Sequence, residues 1–141
     1  MILIIQFRPD DYESEQSSDS DSSSSSGSGS SVVDFATQFV GNPYVWGGTS
    51  LTGGADCSGF IGSVYRSFGY NLPRTSSELR KAGRKVSYNE RQPGDIICYN
   101  GHVAMYIGDG KIVHASNRRT GIKISPRANY RRIVCVRRVV E

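Results

Sequence analysis

The stretch Gly101-His-Val-Ala-Met-Tyr-Ile-Gly-Asp-Gly-Lys-Ile-Val-His-Ala-Ser116 decides how the rest of the chain is read. Two apolar runs flank Gly108-Asp109-Gly110, the pattern of antiparallel strands joined by a tight turn. Both histidines of the chain fall inside this hairpin. Side chains alternate faces along a strand, so the turn decides whether the two rings look the same way. A three-residue loop over Gly108–Gly110 sets Ile107 opposite Lys111 and Ala104 opposite His114, which puts His102, Ala104 and His114 on one face. A two-residue loop sends the histidines to opposite faces.

Upstream, Asp56-Cys-Ser-Gly-Phe-Ile61 reads as the start of a helix, with Asp56 as N-cap. Phe60, Ile61, Val64, Tyr65 and Phe68 follow at helical spacing before Gly69. Cys57 then lies in the first turn, where unpaired N–H groups and the helix dipole favour a thiolate, so a lowered pKa is expected. The same N–H groups could hold the oxyanion of a tetrahedral intermediate. Val32–Val40 reads as an earlier helix, ended by Gly41-Asn-Pro43, and Thr49–Gly54 as a polar loop. Within Tyr44-Val-Trp-Gly-Gly48, Trp46 reads as a packing residue. Downstream come a short helix over Ser76–Ala82, a turn at Arg91–Asp95, a strand at Ile96–Tyr99 and a closing strand at Ile133–Val139. Helices beside a run of antiparallel strands make the class α+β.

Charge divides the chain in two. Residues 1–31 hold six acids and one base, and 12 of the 18 residues from Ser14 to Ser31 are serine. Such a segment has too little apolar surface to offset its ordering entropy, so disorder is expected over 1–31 and a folded domain over 32–141. The apolar run Met1–Phe7 is too short to span a bilayer and has neither the basic start nor the cleavage site of a signal peptide. Residues 32–141 hold 16 bases and 7 acids, a net of +9 that draws polyanions at low salt. The bases are scattered and form no recognisable nucleic-acid module, so an anionic wall polymer is as good a partner and nucleic acid is not expected.

Three cysteines are too few for a disulfide framework. Cys98 and Cys135 sit in strand-like runs as small buried hydrophobes, with a disulfide between them the alternative. Cys57, His102 and His114 can serve as nucleophile, base and the polar group that orients the base. One cysteine and two histidines could also ligate zinc, but no His-Glu-x-x-His motif accompanies them.

Six segments, in order, resemble the motifs of the NlpC/P60 family: Tyr44–Gly48, Asp56-Cys-Ser-Gly-Phe60, Pro73-Arg-Thr-Ser76, Pro93-Gly-Asp95, Gly101–Gly110 and Val113-His-Ala-Ser116. The resemblance implies a papain-like fold, with the nucleophile helix packed on an antiparallel sheet. It implies a secreted or wall-associated endopeptidase, cutting between γ-linked D-glutamate and a diamino acid in peptidoglycan stem peptides without cofactor or metal. A monomer without a membrane span is expected. The family's nucleophile, base and third polar residue fall on Cys57, His102 and His114. Its site tyrosine falls on Tyr44, and Asp56 and Ser58 match pocket positions that can contact the free amino end of the peptide. The chain departs from the family at Ser77-Glu-Leu-Arg80, where glutamine is frequent. An amidase or acyl hydrolase built on the same residues, or a catalytically silent wall-binding module, are the alternatives.

Overall fold

The computed structural model describes residues 28–141, so the apolar run at Met1–Phe7 and the serine tract through Gly27 lie outside the described residues. Helix α1 (Ser28–Thr37) begins four residues ahead of the expected Val32. Its start is fixed by packing rather than by periodicity: Gly29 lies so close to the Pro93 carbonyl that no Cβ would fit, and Val32 and Ala36 are fully buried. The last residues of the serine tract therefore belong to the folded part.

A two-strand ribbon, β1 (Thr49–Ser50) and β2 (Gly54–Ala55), replaces the expected loop and leads into helix α2 (Cys57–Arg66). Helix α3 (Ser76–Leu79) is shorter than expected. Strands β3 (Arg84–Val86), β4 (Ile96–Tyr99), β5 (His102–Gly108), β6 (Lys111–Asn117), β7 (Gly121–Ser125) and β8 (Ile133–Arg138) form one antiparallel sheet in the order β3-β8-β4-β5-β6-β7. The α+β architecture is thus as read, with β3 and β7 as additional edge strands.

Alternation sorts the sheet into two apolar faces. Val103, Met105, Val113 and Ala115 meet Phe60, Ile61, Val64 and Tyr65 of α2. The residues between them, Ala104, Tyr106 and Ile112, pack with Ile97, Tyr99, Val136 and Ala128 on the other side. Burial on both faces makes the central strands nearly continuous in apolar residues.

The hairpin differs from both expected turns. Its loop is the two-residue Asp109-Gly110, with positive φ at each, as a type I′ turn requires. Gly108 faces Lys111, but Tyr106 faces Ile112, so Ile107 is an extra residue in a β-bulge. The bulge reverses the parity once more. Met105 pairs with Val113, and continuation of that register sets Ala104 against His114. The two histidines share a face by way of a short turn and a bulge rather than a long turn.

One ion pair is buried in this frame. Arg138 of β8 donates from Nε and Nη2 to the two carboxylate oxygens of Asp95, each at 2.9 Å, and Nη2 also reaches the Glu90 carbonyl at 2.8 Å. Asp95 Oδ2 accepts the Gln92 N–H at 2.8 Å, which fixes the turn before β4. Removal of one partner leaves a charge without compensation in a site where Asp95 is 2% exposed. We expect Asp95→Ala to cost about 3 kcal/mol of unfolding free energy, read from urea denaturation at pH 7. Glu141→Gln, which breaks the exposed Arg84–Glu141 pair, should leave the midpoint in place.

Candidate active site

Strand β5 brings His102 to the edge of the site, and β6 delivers His114 beside it. The rings lie 2.7 Å apart from His102 Nε2 to His114 Nδ1, and the second nitrogen of His114 lies 2.8 Å from Ser125 Oγ of β7. Three strands thus contribute one hydrogen-bonded chain, His102–His114–Ser125. Ser125 was not singled out from sequence because β7 carries too short an apolar pattern to be read as a strand. The Tyr99 ring stacks on His102 at 5.8 Å between centroids.

Cys57 opens α2 and packs against the helix-side core. The backbone N–H of Val103, the residue after His102, is among the groups that favour a negative sulfur there. Among the described residues no side-chain hydrogen bond joins Cys57 to His102. Because Nε2 of His102 is taken by His114, Nδ1 is the nitrogen left for the thiol.

Asp56 holds three segments together. Oδ1 accepts the Gly59 N–H at 2.7 Å and caps α2, while Oδ2 accepts the Gly47 N–H at 2.9 Å and anchors the aromatic loop. Arg74 grips both carboxylate oxygens at 3.1 Å and donates to Ser58 Oγ at 2.8 Å. Burial opposes the charge on Asp56, but the bonds from Arg74, Gly59 and Gly47 outweigh it and hold its pKa below 3.8. Arg74 was quoted within a motif but given no role. The signal was its position in Pro73-Arg-Thr-Ser76, ahead of a helix cap.

Tyr44 bridges Ala55 by backbone pairing, two residues before Cys57. Burial, followed by the negative charges available to Cys57 and Asp56, raises its hydroxyl pKa, so it remains a donor. Trp46 was expected in the core but is 76% exposed, because Gly47 and Gly48 turn the loop outward where Asp56 holds it. Cys98 and Cys135 lie opposite each other on β4 and β8 as free thiols, with Cys98 pushed up to about 12, chiefly by burial.

The expected lowering of the Cys57 pKa is corrected. Burial raises it most, and Asp56 adds to the rise, against hydrogen bonds from Val103, Ser58 and Cys57 itself. His102 is lowered to about 4 by burial and by the charge of Arg131. His114 is lowered to about 3 by burial and by His102, Lys123 and Arg131. Burial thus disfavours the charged form of both the thiol and the imidazole. A metal does not suit this arrangement, since His102 Nε2 and His114 Nδ1 face each other across one hydrogen bond rather than converging on a third point.

Residues 41–138 match the model of the NlpC/P60 family. The chain belongs to the NlpC/P60 family. It is 37% identical over 100 residues to a "probable endopeptidase" of Mycobacterium tuberculosis, covering 69% of this chain and 26% of that protein. It is 37% identical over 103 residues to a gamma-D-glutamyl-L-lysine dipeptidyl-peptidase of Bacillus cereus, covering 67% of this chain and 31% of the relative. The crystal structure of an NlpC/P60 family protein from Bacillus cereus superposes with a TM-score of 0.72 at 31% identity, over 80% of this chain and 40% of the other. The chain thus spans about a third or less of the length of these two curated relatives. The papain-like α+β arrangement of the family, helices packed on an antiparallel sheet, is the one described above. Among the described residues no helix is long and apolar enough to cross a membrane.

Two measurements follow from the electrostatics. Alkylation of Cys57 by iodoacetamide, followed at the peptide level, should accelerate with pH and show a midpoint above 9.0; a rate that is flat from acid pH upward would indicate a resting thiolate–imidazolium pair. The folded histidines titrate below 6.5, so the unfolded chain takes up protons first as pH falls. Their contribution to stability is complete above 6.5 and is lost progressively as pH drops through that value towards about 4 and about 3. The urea midpoint should decline over this window, and less steeply in His114→Asn.

Proposed function

We propose that this chain is a cysteine endopeptidase that hydrolyses the γ-D-glutamyl–diamino acid bond of peptidoglycan stem peptides. The observation that carries the reading is the His102–His114–Ser125 chain beside a cysteine at a helix start, in a chain similar to relatives named for endopeptidase and γ-D-glutamyl dipeptidyl-peptidase activity.

The hydrogen bonds dictate the tautomers the reaction needs. For His102 Nδ1 to accept the thiol proton, Nε2 must carry hydrogen and donate to His114 Nδ1. His114 then carries its own hydrogen on Nε2 and donates to Ser125 Oγ. As the Cys57 sulfur attacks the carbonyl carbon, its proton passes to His102, and the imidazolium formed is oriented and partly stabilised by His114. The carbonyl oxygen becomes an oxyanion, held by the Cys57 N–H with the Tyr44 hydroxyl as second donor. Collapse breaks the C–N bond, and His102 returns the proton to the departing amine. Water deprotonated by His102 then cleaves the thioester and restores the thiol. With a neutral resting pair, charge separation in the buried site falls within the attack step, where the oxyanion donors and His114 must stabilise it.

Asp56 and Ser58, tied to Arg74, form the wall where the free amino end of the peptide would lie. The substrate implies a secreted or wall-associated protein, and the basic surface would favour anionic wall polymers.

Mass spectrometry of muropeptides incubated with the protein tests the reading. Release of a fragment ending in D-glutamate is expected from wild type and not from Cys57→Ala. Release of an intact stem peptide would instead make the protein an amidase. His114→Ala should lower kcat by on the order of 10²–10⁴, by analogy with loss of the orienting group in other triads. Ser125→Ala, one hydrogen bond further out, should cost less than about tenfold.

A further inference from the structure

Arg80, Asn100, Arg131, Arg132 and Val134 line a recess of about 430 Å³ at the end of the sheet where β5 begins. Three arginines line it, and no acidic side chain is among its lining residues. Arg80 Nε is buried and has no hydrogen-bond partner among the described residues. That nitrogen is closed off from the recess, so an anion there would meet Arg80 through the terminal nitrogens of its guanidinium group. Arg131 is already positioned: Nη2 donates to the Asn100 carbonyl at 3.0 Å, and its guanidinium lies 5.7 Å from the Tyr99 ring and 5.9 Å from the Tyr130 ring.

The recess adjoins the histidines. Asn100 is two residues before His102, Tyr99 contacts both Arg131 and His102, and the Arg131 charge is felt at both imidazoles. We propose that it is a carboxylate-binding subsite for the leaving half of the peptide. The proposal rests on the endopeptidase reading: His102 must protonate the departing amine, so the residue bearing that amine lies on the His102 side and the chain beyond it projects towards Asn100. That half of the substrate ends in a carboxylate, and a diamino acid with two carboxyl groups offers another. Planar guanidinium groups suit paired hydrogen bonds to carboxylate oxygens. Arg80 lies in the segment where this chain departs from the family pattern, so the preference is a property of these residues.

Steady-state kinetics on L-Ala-γ-D-Glu-L-Lys and its C-terminal amide test the subsite. Wild type should favour the free acid by about tenfold or more in kcat/KM, the value of a hydrogen bond to a charged group. Arg80→Gln/Arg132→Gln should bring that ratio close to one, mainly through KM on the acid, with unchanged Cys57 alkylation. Equal rates on both peptides in wild type, or an equal loss on both in the variant, would overturn the proposal. Loss of teichoic acid binding in the variant, with no discrimination between peptides by wild type, would make the recess a polymer anchor instead and also overturn it. Cleavage of neither peptide by wild type would count against the endopeptidase reading, and the subsite would then stand or fall on binding. In that case N-acetyl-D-alanine, but not its amide, should shift the Arg80 Nε–H resonance of 15N-labelled protein to saturation; no shift would overturn it.

Discussion

The register of β5 against β6 is the constraint on which the site depends. A one-residue slip would turn His114 to the opposite face of the sheet and break the 2.7 Å contact between the rings. The register is held from both ends. At the closed end, Asp109-Gly110 makes the tight turn and the bulge at Ile107 resets the alternation. Along the strands, burial on both faces penalises a slip, because it would exchange Val103 and Met105 of one core for Ala104 and Tyr106 of the other. β7 then adds Ser125, and the pairing of β4 with β5 sets Tyr99 opposite His102.

Asp56 plays the corresponding part on the helix side. Its carboxylate caps α2, fixes the Tyr44–Gly48 loop through the Gly47 N–H and receives Arg74 from the approach to α3. Close packing reinforces the same joint: a Cβ on Gly59 would collide with the Gly48 carbonyl. A residue that sequence reads as an N-cap is therefore also what aligns Tyr44 with Cys57. The negative charge has a further consequence, since with burial it raises the Cys57 pKa and disfavours the thiolate.

Much of this was legible in the sequence because local rules and tertiary packing agreed. The apolar spacing after Asp56 gave α2, and the alternation around Gly108–Gly110 gave the hairpin and its two histidines. The bulge was not legible, since Ile107 carries no local signal that distinguishes a paired residue from an unpaired one. β7 was missed because Gly121-Ile-Lys-Ile-Ser125 is an edge strand with Ile124 exposed, which leaves little alternation to detect. Trp46 was misplaced because its exposure is set by the Gly47–Asp56 bond, a contact between residues nine apart. The Cys57 pKa was misjudged for a similar reason: the helix start is local, but the burial that outweighs it is tertiary.

The central claim is that Cys57 forms a thioester with the γ-glutamyl carbonyl while the histidine chain handles the proton. Rapid acid quenching of the protein during turnover of L-Ala-γ-D-Glu-L-Lys, followed by intact-protein and peptide mass spectrometry, tests it directly. A transient adduct with the mass of the L-Ala-γ-D-Glu acyl group is expected on Cys57, absent in Cys57→Ala. Hydrolysis that persists in Cys57→Ala, or an acyl group found on another residue, would contradict it.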